Sequence, residues 1–588
     1  MTTDQNYQQI YRVGGMLDAG FVGQITYTIS LDQVYDELDI HFSFDKRLYS
    51  ESDVTPELID RLQTLCTAKY NAPTYPAEEF RQTILHEMKT EIHTMAELND
   101  NFIGCIHRQL TDRHMLYTKE FTSDGCLAQD TFSGVLKVTV LVFNVLLDNT
   151  QYTLTVSGHP VGQGVIAPNF NLMDTVKTAA GNAGASNAAG SADNSCEAES
   201  APASAVATAG SSGVSGAGSA ATAGDSSTTG SSSAGNTVTA STRFKRLELH
   251  NHTVESDGSL TCQELTEYLA ADHVDAFAIT DHNTTSGQKK IEQLLEEKHY
   301  PISLIRGMEY TTYFGHILCL NLAKYVPWNS IDQHRPELLF EAAREKGALV
   351  GIAHPFSYGD PFARGCRFEM TISDYSKIDF IEIFNNPEPL HEVNERGTNL
   401  WMSLIFSGYQ ITATSGMDLH NRAKLAGCYA TYIEGKNGGN IASELDTAIH
   451  THRTWVSKGA LLLTEVLPET NELLLTFTDA HKPGFAVPKT AQVVLKGKDK
   501  TFTTSVSLDK PVCVSLNQLS GTDPIIPLLY EAPGINGAAT VSNAAHVAAS
   551  TSCGSAADAS SAAGQLKEID ALPAIEGLLC VSPVLYRD

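Results

Sequence analysis

The stretch from Leu247 to Asp257, which reads LELHNHTVESD, decides the fold of the central part of this chain. His250 and His252 stand two residues apart at the end of a short apolar run. Residues two apart on a strand face the same side, so both imidazoles can point at one place. Asp257 follows five residues later in a turn. Two imidazoles and a nearby carboxylate are what a metal ion requires.

The residues on either side of this stretch continue its pattern. From residue 242 to about 458, short apolar runs alternate with helical patterns. Such alternation predicts a mainly parallel sheet, and seven or so units suggest a closed or nearly closed barrel. The expected strands are 245–250, 275–280, 302–306, 316–322, 348–353, 379–384, 411–415 and 428–433.

Nine histidines and carboxylates lie at or near the ends of these strands, where barrels of this kind carry their chemistry. Nine ligands are too many for one ion, since zinc usually takes four, so we expect two or three divalent metals. Imidazoles mixed with carboxylates suit Zn, Mn or Fe better than Mg or Ca. The expected ligands are His250, His252, Asp257, His282, Glu309, His316, His354, Asp418 and His420.

Such a cluster lowers the pKa of bound water and holds the oxygens of a displacement at phosphorus. The sequence therefore predicts a metal-dependent phosphoesterase that attacks with a metal-bound hydroxide, and we assign catalytic roles to Glu309, Asp418 and His420. Two alternatives stay open. The same site would hydrolyse carboxylic or carbamate esters, and a non-catalytic binding or scaffold protein would retain the barrel as a vestige.

The motifs HNH, SDG, TDHN, GME, GH, AHP and SGMDLH occur in an order that resembles the PHP family (polymerase and histidinol phosphatase), over about residues 245–430. The resemblance implies an α/β fold with a distorted seven-unit β/α barrel and up to three metals. It implies that one ion is shared by His250, His252, Glu309 and Asp418, a second by Asp257, His282 and His420, and a third by Glu309, His316 and His354. The stretches GMEYTTYFGH and NLWMSLIFSGYQITATSGMDLH resemble the carbaryl-hydrolase-like subgroup, although Met417 stands where a small polar residue is usual.

Substrate contacts are expected from loops near the rim of the barrel. Arg364, Arg367 and Arg422 lie in such loops, and each guanidinium offers a bidentate fork for a phosphate. Asn283 is either a hydrogen-bonding partner of a ligand or substrate, or a turn residue. The expected partner is a small-molecule phosphoester, and the oligomeric state stays open.

The flanking regions are predicted from composition and periodicity. Residues 1–173 read as a β-rich domain with a helical insertion, whose second helix begins near Pro76 and carries Phe80, Ile84, Met88 and Ile92 on one face. The histidines of this domain, His86, His93, His107 and His114, are expected to be surface or structural residues. Residues 174–241 are rich in Ala, Gly and Ser and predict a disordered linker. Residues 459–588 predict a β-sandwich-like domain with a disordered loop at 534–565.

Charge and cysteine content narrow the class of protein. The net charge of −28 argues against a nucleic-acid-binding surface and against an anionic membrane. No basic start followed by an apolar core is visible, and no stretch reaches the length of a membrane span. The eleven cysteines form no CxxC pairs, so reduced thiols and a cytoplasmic location are expected.

Overall fold

The structure of the protein is a computed structural model, and it describes most of the chain in several ranges. The expected linker at 174–241 and nearly all of the expected loop at 534–565 lie outside the described residues. The described residues are 7–70, 74–108, 110–161, 243–385, 392–521, 523–532, 562–563, 566–569 and 571–586.

The N-terminal domain is built on one seven-stranded sheet with the order β1-β7-β2-β6-β3-β4, in which β5 also pairs with β2. Alternation along β2 buries Leu38, Ile40 and Phe42 completely, as the sequence pattern predicts. The strands are β1 (Gln8–Leu17), β2 (Gly23–Phe44), β3 (Glu91–Leu98), β4 (Asn101–Ile106), β5 (Asp112–Tyr117), β6 (Phe132–Asn144) and β7 (Thr150–Pro160).

Two helices, α1 (Pro56–Tyr70) and α2 (Ala77–Glu87), form the insertion between β2 and β3. The second is shorter than its apolar pattern indicates. Met88 adopts an extended conformation and ends α2, and Ile92 belongs to β3, where it is buried in the sheet core. The apolar spacing of Met88 and Ile92 fits a helix, but strand pairing with β6 takes this segment instead.

The central region alternates strands and helices as expected, and each expected strand has a counterpart within a few residues. Its strands are β8 (Arg243–Glu248), β9 (Ala276–Ile279), β10 (Ser303–Thr312), β11 (Gly315–Leu320), β12 (Leu349–Ile352), β13 (Phe380–Asn385), β14 (Thr412–Gly416), β15 (Ala430–Gly435) and β16 (Thr454–Ser457). Its helices are α3 (Cys262–Ala271), α4 (Ser286–Lys298), α5 (Glu337–Arg344), α6 (Glu392–Phe406) and α7 (Ile441–His450).

Strand direction changes in the middle of this region. β8, β9 and β10 run parallel, β11 is antiparallel to both β10 and β12, and β12, β13 and β14 are parallel again. The sheet is therefore mixed. Its two ends meet through side chains, because the Thr431 hydroxyl accepts from Ser415 N at 2.9 Å and donates to Ser415 O at 3.0 Å. No backbone ladder joins β14 to β15 among the described residues, so a closed barrel stays a prediction.

The C-terminal region continues the central sheet beyond residue 458. The order runs β8-β15-β16-β25-β22-β19-β20-β24, and a second sheet has the order β17-β18-β21-β23. Tyr432 and Trp455 of the central region share one apolar core with Leu473 and Val493. The strands are β17 (Ala460–Leu467), β18 (Glu472–Asp479), β19 (Thr490–Lys496), β20 (Thr501–Ser507), β21 (Val512–Ser515), β22 (Ile526–Glu531), β23 (Ala562–Ala563), β24 (Lys567–Ile569) and β25 (Leu578–Val581).

The N-terminal domain shares a core with the central region. Met95 and Phe143 pack in the same apolar cluster as Tyr310 and Trp328, and Phe102 stacks on Tyr325 with ring centroids 3.9 Å apart. No described helix has both the length and the apolar character needed to cross a membrane. None of the nine described cysteines forms a disulfide, and eight of them are buried.

Lys482 is the one lysine among the described buried polar residues, and it connects the C-terminal region to the central sheet. It is 4% exposed, and its ammonium donates to the carbonyl of Cys428, just before β15. Burial, followed by the nearby Arg246, lowers its pKa to about 7. In the folded protein, Lys482 therefore loses its proton at a much lower pH than a lysine exposed to water.

This burial predicts a pH-dependent stability. The pKa of Lys482 is about 7 in the folded state and about 10.4 in the unfolded chain. Between these two pH values the unfolded chain carries a proton on Lys482 that the folded protein has lost, so the free energy of unfolding rises with pH. Compared with Lys482→Met, the wild-type free energy of unfolding should gain up to about 1.4 kcal/mol per pH unit in this window. Urea denaturation at several pH values measures the difference, and parallel curves for the two proteins would contradict it.

Candidate metal centre

The nine expected ligands come together at one end of the central strands. His250 and His252 follow β8, and backbone hydrogen bonds join them to Leu419 between Asp418 and His420 (His252 N to Leu419 O, 3.0 Å; Leu419 N to His250 O, 3.2 Å). A parallel bridge pairs His282 with Glu309. The loops after β8 and β14 are therefore held side by side, and so are the loop after β9 and strand β10.

Glu309 lies at the centre of the cluster and is fully buried. Its Oε2 lies 3.2 Å from His250 Nε2, 3.4 Å from His252 Nε2 and 3.0 Å from His282 Nδ1. Its Oε1 lies 2.9 Å from His316 Nδ1 and 3.0 Å from His354 Nε2. One carboxylate thus reaches five imidazoles on four different segments of the chain.

Asp418 completes the first group of potential ligands. Its Oδ1 lies 3.0 Å from His252 Nε2 and 3.5 Å from His250 Nε2. The ligand atoms of His250, His252, Glu309 and Asp418 all lie within 4.8 Å of one another, close enough to share an ion. This group has the composition that the family resemblance implies for the first metal.

Two further groups adjoin the first. Asp257 Oδ1 lies 3.3 Å from His420 Nε2 and 3.6 Å from His282 Nε2, and these three side chains form a group together with His252. His282, Glu309 and His316 form another. His282 therefore stands between two groups, whereas the resemblance implies a place in the second alone.

The free polar atoms of the cluster test whether metals fit. In folded proteins, buried nitrogen and oxygen atoms normally have hydrogen-bond partners. Among the described residues, several atoms of the cluster are buried and have no such partner: His250 Nε2, both ring nitrogens of His252, Asp257 Oδ1, Glu309 Oε2, His316 Nε2 and Asp418 Oδ1. A set of buried donors without partners, mixing imidazole and carboxylate, is what divalent transition metals require. The histidines and carboxylates of the cluster therefore fit a site for divalent metals.

The charges of the cluster come from carboxylates buried among imidazoles. Burial disfavours the charged form of His250, but the nearby carboxylates, Glu309 first among them, outweigh burial and raise its pKa well above the ordinary value. Burial acts to raise the pKa of Glu309, yet His250 and other imidazoles hold this pKa well below its usual range. At His316, burial prevails and lowers the pKa to about 4. The pocket as a whole favours positive charge.

Glu382, at the end of β13, orients the ligands from behind. Its Oε1 lies 3.0 Å from His250 Nδ1, and its Oε2 accepts hydrogen bonds from His354 N at 3.0 Å and Asn385 Nδ2 at 2.8 Å. Carboxylates in this position fix the ring orientation of metal-binding histidines. Glu382 was not among the expected ligands, because a single acidic residue in the apolar run FIEIF has the pattern of an ordinary strand residue.

Asn283 and Asp281 have positioning roles. Asn283 Nδ2 donates to Thr311 O at 2.9 Å, and its Oδ1 accepts from Thr311 N at 3.1 Å. Asp281 accepts from Thr253 and Ser256. Both polar ends of the Asn283 side chain are thus hydrogen-bonded within the fold, and a contact with substrate stays a prediction.

Local backbone geometry at the site is demanding. His354 has φ of 23° and Asp418 has φ of 50°, both in the left-handed region that β-carbons disfavour. Gly416 is needed for close approach, since a Cβ there would lie 2.4 Å from the Cβ of His250. Next to it, Met417 directs its side chain into an apolar cluster with Leu260, so this unusual residue displaces no ligand.

The three arginines expected at the rim differ in their surroundings. The segment that carries Arg364 and Arg367 touches the site, because the carbonyl of Cys366 lies 3.1 Å from His354 Nδ1. Arg364 pairs with Asp360 at 3.0 Å, whereas Arg367 lies over the rings of Tyr70 and Phe356 and leaves Nη1 buried without a hydrogen-bond partner. Arg422 is exposed and lies over Tyr268. Arg364 also leaves its Nε buried without a hydrogen-bond partner, so what distinguishes Arg367 is that it forms no ion pair among the described residues.

The N-terminal domain also reaches the site, through histidines that the sequence analysis expected to be surface or structural residues. His107 stacks on His282 with ring centroids 4.1 Å apart, and its Nε2 lies 3.5 Å from Asp257 Oδ2. His93 and His107 are buried, while His86 and His114 are exposed as expected. Because the contact joins residues about 150 positions apart, no local pattern indicates it.

Residues 7–160 match a family of unknown function (DUF6669), which corresponds to the N-terminal domain.

Curated relatives match shorter parts of the chain. An uncharacterized protein of Methanocaldococcus jannaschii, MJ1587, is 30% identical over 112 residues, 19% of this chain and 58% of the relative. A 5'-3' exoribonuclease of Haemophilus influenzae is 36% identical over 141 residues, 23% of this chain and 50% of the relative. The 5'-3' exoribonuclease Rnm of Escherichia coli is 34% identical over 79 residues, 13% of this chain and 27% of the relative. The chain thus spans from about a quarter to somewhat over half of each relative's length.

Solved structures show distant likeness. A two-domain protein from Bacteroides vulgatus, described as containing a "predicted PHP-like metal-dependent phosphoesterase", has a TM-score of 0.28 at 14% identity and covers 49% of this chain and 90% of its own. An amidohydrolase from Chromobacterium violaceum, with bound sulfate and no metal, has a TM-score of 0.23 at 16% identity. The match covers 30% of this chain and 87% of the amidohydrolase chain. At TM-scores this low neither likeness establishes the fold.

Glu382 gives a test of the metal centre. Glu382→Gln keeps the volume but removes the charge that orients His250, and loss of such an outer carboxylate typically weakens metal affinity by about 10- to 100-fold. Competition with a chromogenic chelator measures the change. Glu434→Gln on β15, whose carboxylate meets only Arg453 among the described ion pairs, is the matched control and should bind as wild type. Equal affinity of all three proteins would rule out the orienting role.

Proposed function

We propose that this chain is a metal-dependent hydrolase of phosphoesters, of the PHP type, with a site that holds two or three divalent ions. One observation carries the proposal: nine imidazole and carboxylate side chains from separate segments converge, and many of their buried donor atoms lack any hydrogen-bond partner. A purely structural network would satisfy those atoms within the protein, since leaving them unpaired is costly.

The family resemblance suggests which residues would hold each ion. His250, His252, Glu309 and Asp418 would hold one ion, Asp257, His282 and His420 a second, and Glu309, His316 and His354 a third. The first set is also one of the ligand groups described above, whereas the group at the third position consists of His282, Glu309 and His316. Bound divalent metals would lower the pKa of water and neutralise the charge on a phosphoryl group. The carboxylates of Glu309, Asp418 and Asp257 would supply the negative charge that balances the ions, and His420, 34% exposed at its side chain, lies on the solvent side of the site.

The chain's own residues would bind and orient the substrate. Arg367 presents an unpaired guanidinium nitrogen on the segment that touches His354, and such a group matches a phosphate oxygen. The aromatic rings of Tyr70 and Phe356 fix its position. Because Tyr70 also hydrogen-bonds Gly359 N at 3.1 Å, helix α1 of the N-terminal domain supports this segment.

The class of substrate has two contenders. The names of two relatives place RNA 5′ ends among the phosphoesters to be tried, alongside small phosphomonoesters. Hydrolysis of a carboxylic or carbamate ester, as in the carbaryl-hydrolase-like subgroup, would use the same ligands but would not need Arg367. We retain a cytoplasmic location within the proposal, on the strength of the free thiols.

Removal of the first two ligands tests the function. The double variant His250→Ala/His252→Ala should lose metal and all measurable hydrolysis of a panel containing a phosphomonoester, a short 5′-phosphorylated RNA and an aryl carbamate. The double variant His41→Ala/His114→Ala changes two stacked histidines of the N-terminal domain, one half-buried and one exposed, and should retain full activity. Treatment of the wild-type protein with a chelator should abolish turnover, and subsequent addition of Mn²⁺ or Zn²⁺ should restore it. Turnover that survives both the variant and the chelator would refute the proposal.

Arg367 separates the two classes of substrate. Arg367→Ala should lower kcat/KM for the phosphoester by about 10- to 100-fold, which corresponds to the loss of a charged hydrogen bond of roughly 1.5–3 kcal/mol. Hydrolysis of the carbamate should change little. Arg453→Ala, which removes an exposed arginine paired with Glu434, serves as the control. An equal loss on both substrates would mean that Arg367 supports the fold of the segment and does not recognise phosphate.

A further inference from the structure

A separate cluster of potential ligands lies in the N-terminal domain. Glu91 and His93 stand two apart on β3, and a register shift between Glu91 and Ile92 lets their side chains meet, with His93 Nε2 3.1 Å from Glu91 Oε1. His107 directly follows β4, which pairs with β3 so that Thr94 lies opposite Ile106. The pairing of the two strands thus sets His107 beside His93. We refer to Glu91, His93 and His107 as the β3–β4 triad.

The triad is closed off from solvent and has unused donor atoms. Its side chains are 5%, 0% and 4% exposed, in chain order, and its potential ligand atoms all lie within 4.8 Å of one another. His93 Nε2 lies 3.1 Å from Glu91 Oε1 without the geometry of a hydrogen bond. His93 Nδ1 and His107 Nδ1 are buried and have no hydrogen-bond partner among the described residues. The same signature marks the ligands of the metal centre.

The chemistry of the triad suits a transition metal. A buried carboxylate is stable only where nearby groups bear or bind positive charge, and the imidazoles of His93 and His107 can hold a cation beside Glu91. Two imidazoles and one carboxylate are a known ligand set for zinc with one position left open.

The triad adjoins the metal centre through Asp257. The Oδ1 of Asp257 faces His420 and His282, while its Oδ2 lies 3.5 Å from His107 Nε2. The two oxygens of one carboxylate thus face two separate sets of imidazoles. A cation in the triad would lie beside the second ligand group of the metal centre and add positive charge there.

We propose that the β3–β4 triad binds a further divalent transition-metal ion, zinc by its ligand set, at the contact between the N-terminal domain and the central region. The ion neutralises Glu91 and holds His107 against His282 and Asp257. The N-terminal domain thereby contributes a metal of its own to the wall of the site. This assignment depends on the triad's geometry and not on the reaction proposed above.

The direct test locates the ion. The full chain is purified, supplied with Zn²⁺, freed of excess by gel filtration and crystallised, and anomalous difference maps are collected on both sides of the zinc edge. We expect a peak within bonding distance of Glu91, His93 and His107. A map with peaks in the metal centre and none at the triad would overturn the inference, and so would a map with no peaks at all.

Metal counting provides the second measurement. His93→Phe keeps a ring beside Phe143, now 4.6 Å from His93, and removes both nitrogens, while Glu91→Gln removes the charge. Each variant should hold one zinc equivalent fewer than wild type by mass spectrometry of the metal content. His86→Phe makes the same substitution at an exposed position of α2 and should match wild type. Equal zinc content in folded His93→Phe and wild type would overturn the inference; if this variant does not fold, the anomalous map decides.

The outcome is separable from that of the proposed function. In His250→Ala/His252→Ala the triad peak should remain while the peaks of the metal centre weaken or vanish. A triad peak in a wild-type protein without hydrolytic activity would uphold the further site and defeat the phosphoesterase proposal. Full activity in a wild-type protein with an empty triad would do the reverse.

Discussion

The buried carboxylate of Glu309 is the constraint on which the rest of the structure depends. A negative charge with no access to water must be surrounded by groups that bear or bind positive charge. Five imidazoles lie within 3.4 Å of its two oxygens, and they come from the loops after β8, β9 and β12 and from β11. Each of those segments must therefore bring its histidine to the same place. The order of strands in the central sheet is the arrangement that satisfies this requirement.

The outer parts of the molecule extend this requirement. Glu382 holds two ligands from behind, and the N-terminal domain closes the site from the side through the Glu255 carboxylate, which accepts from Gly125 N at 3.0 Å. Thr284 then donates to the carbonyl of the same glycine at 2.9 Å. A Cβ at Gly125 would lie 2.3 Å from the carbonyl oxygen of Cys105, so only glycine permits this contact. The domain is thus joined to the site by backbone as well as side chains.

Much of the central region could be predicted from the sequence because its signals are local. Apolar runs mark the strands, and the polar residue that ends each run marks the site, as at His250 and His354. The reversal of direction at β11 could not be predicted, because a two-residue turn between Thr312 and Gly315 looks like any other loop. Glu382 could not be recognised either, because a single acidic residue within an apolar strand gives no sign of the histidines that it contacts. The nearness of His107 to His282 depends on how two domains pack, which no periodicity records.

The continuous sheet has a consequence for how the protein is made. Strand β16 at residues 454–457 gains its second neighbour only from β25 at residues 578–581. At about 5–20 residues per second of synthesis, roughly 6 to 25 s pass between the two. During that interval one edge of the central sheet is without its partner and is open to pairing with other chains. The nascent chain therefore has a vulnerable period set by the length of the segment that separates two neighbouring strands.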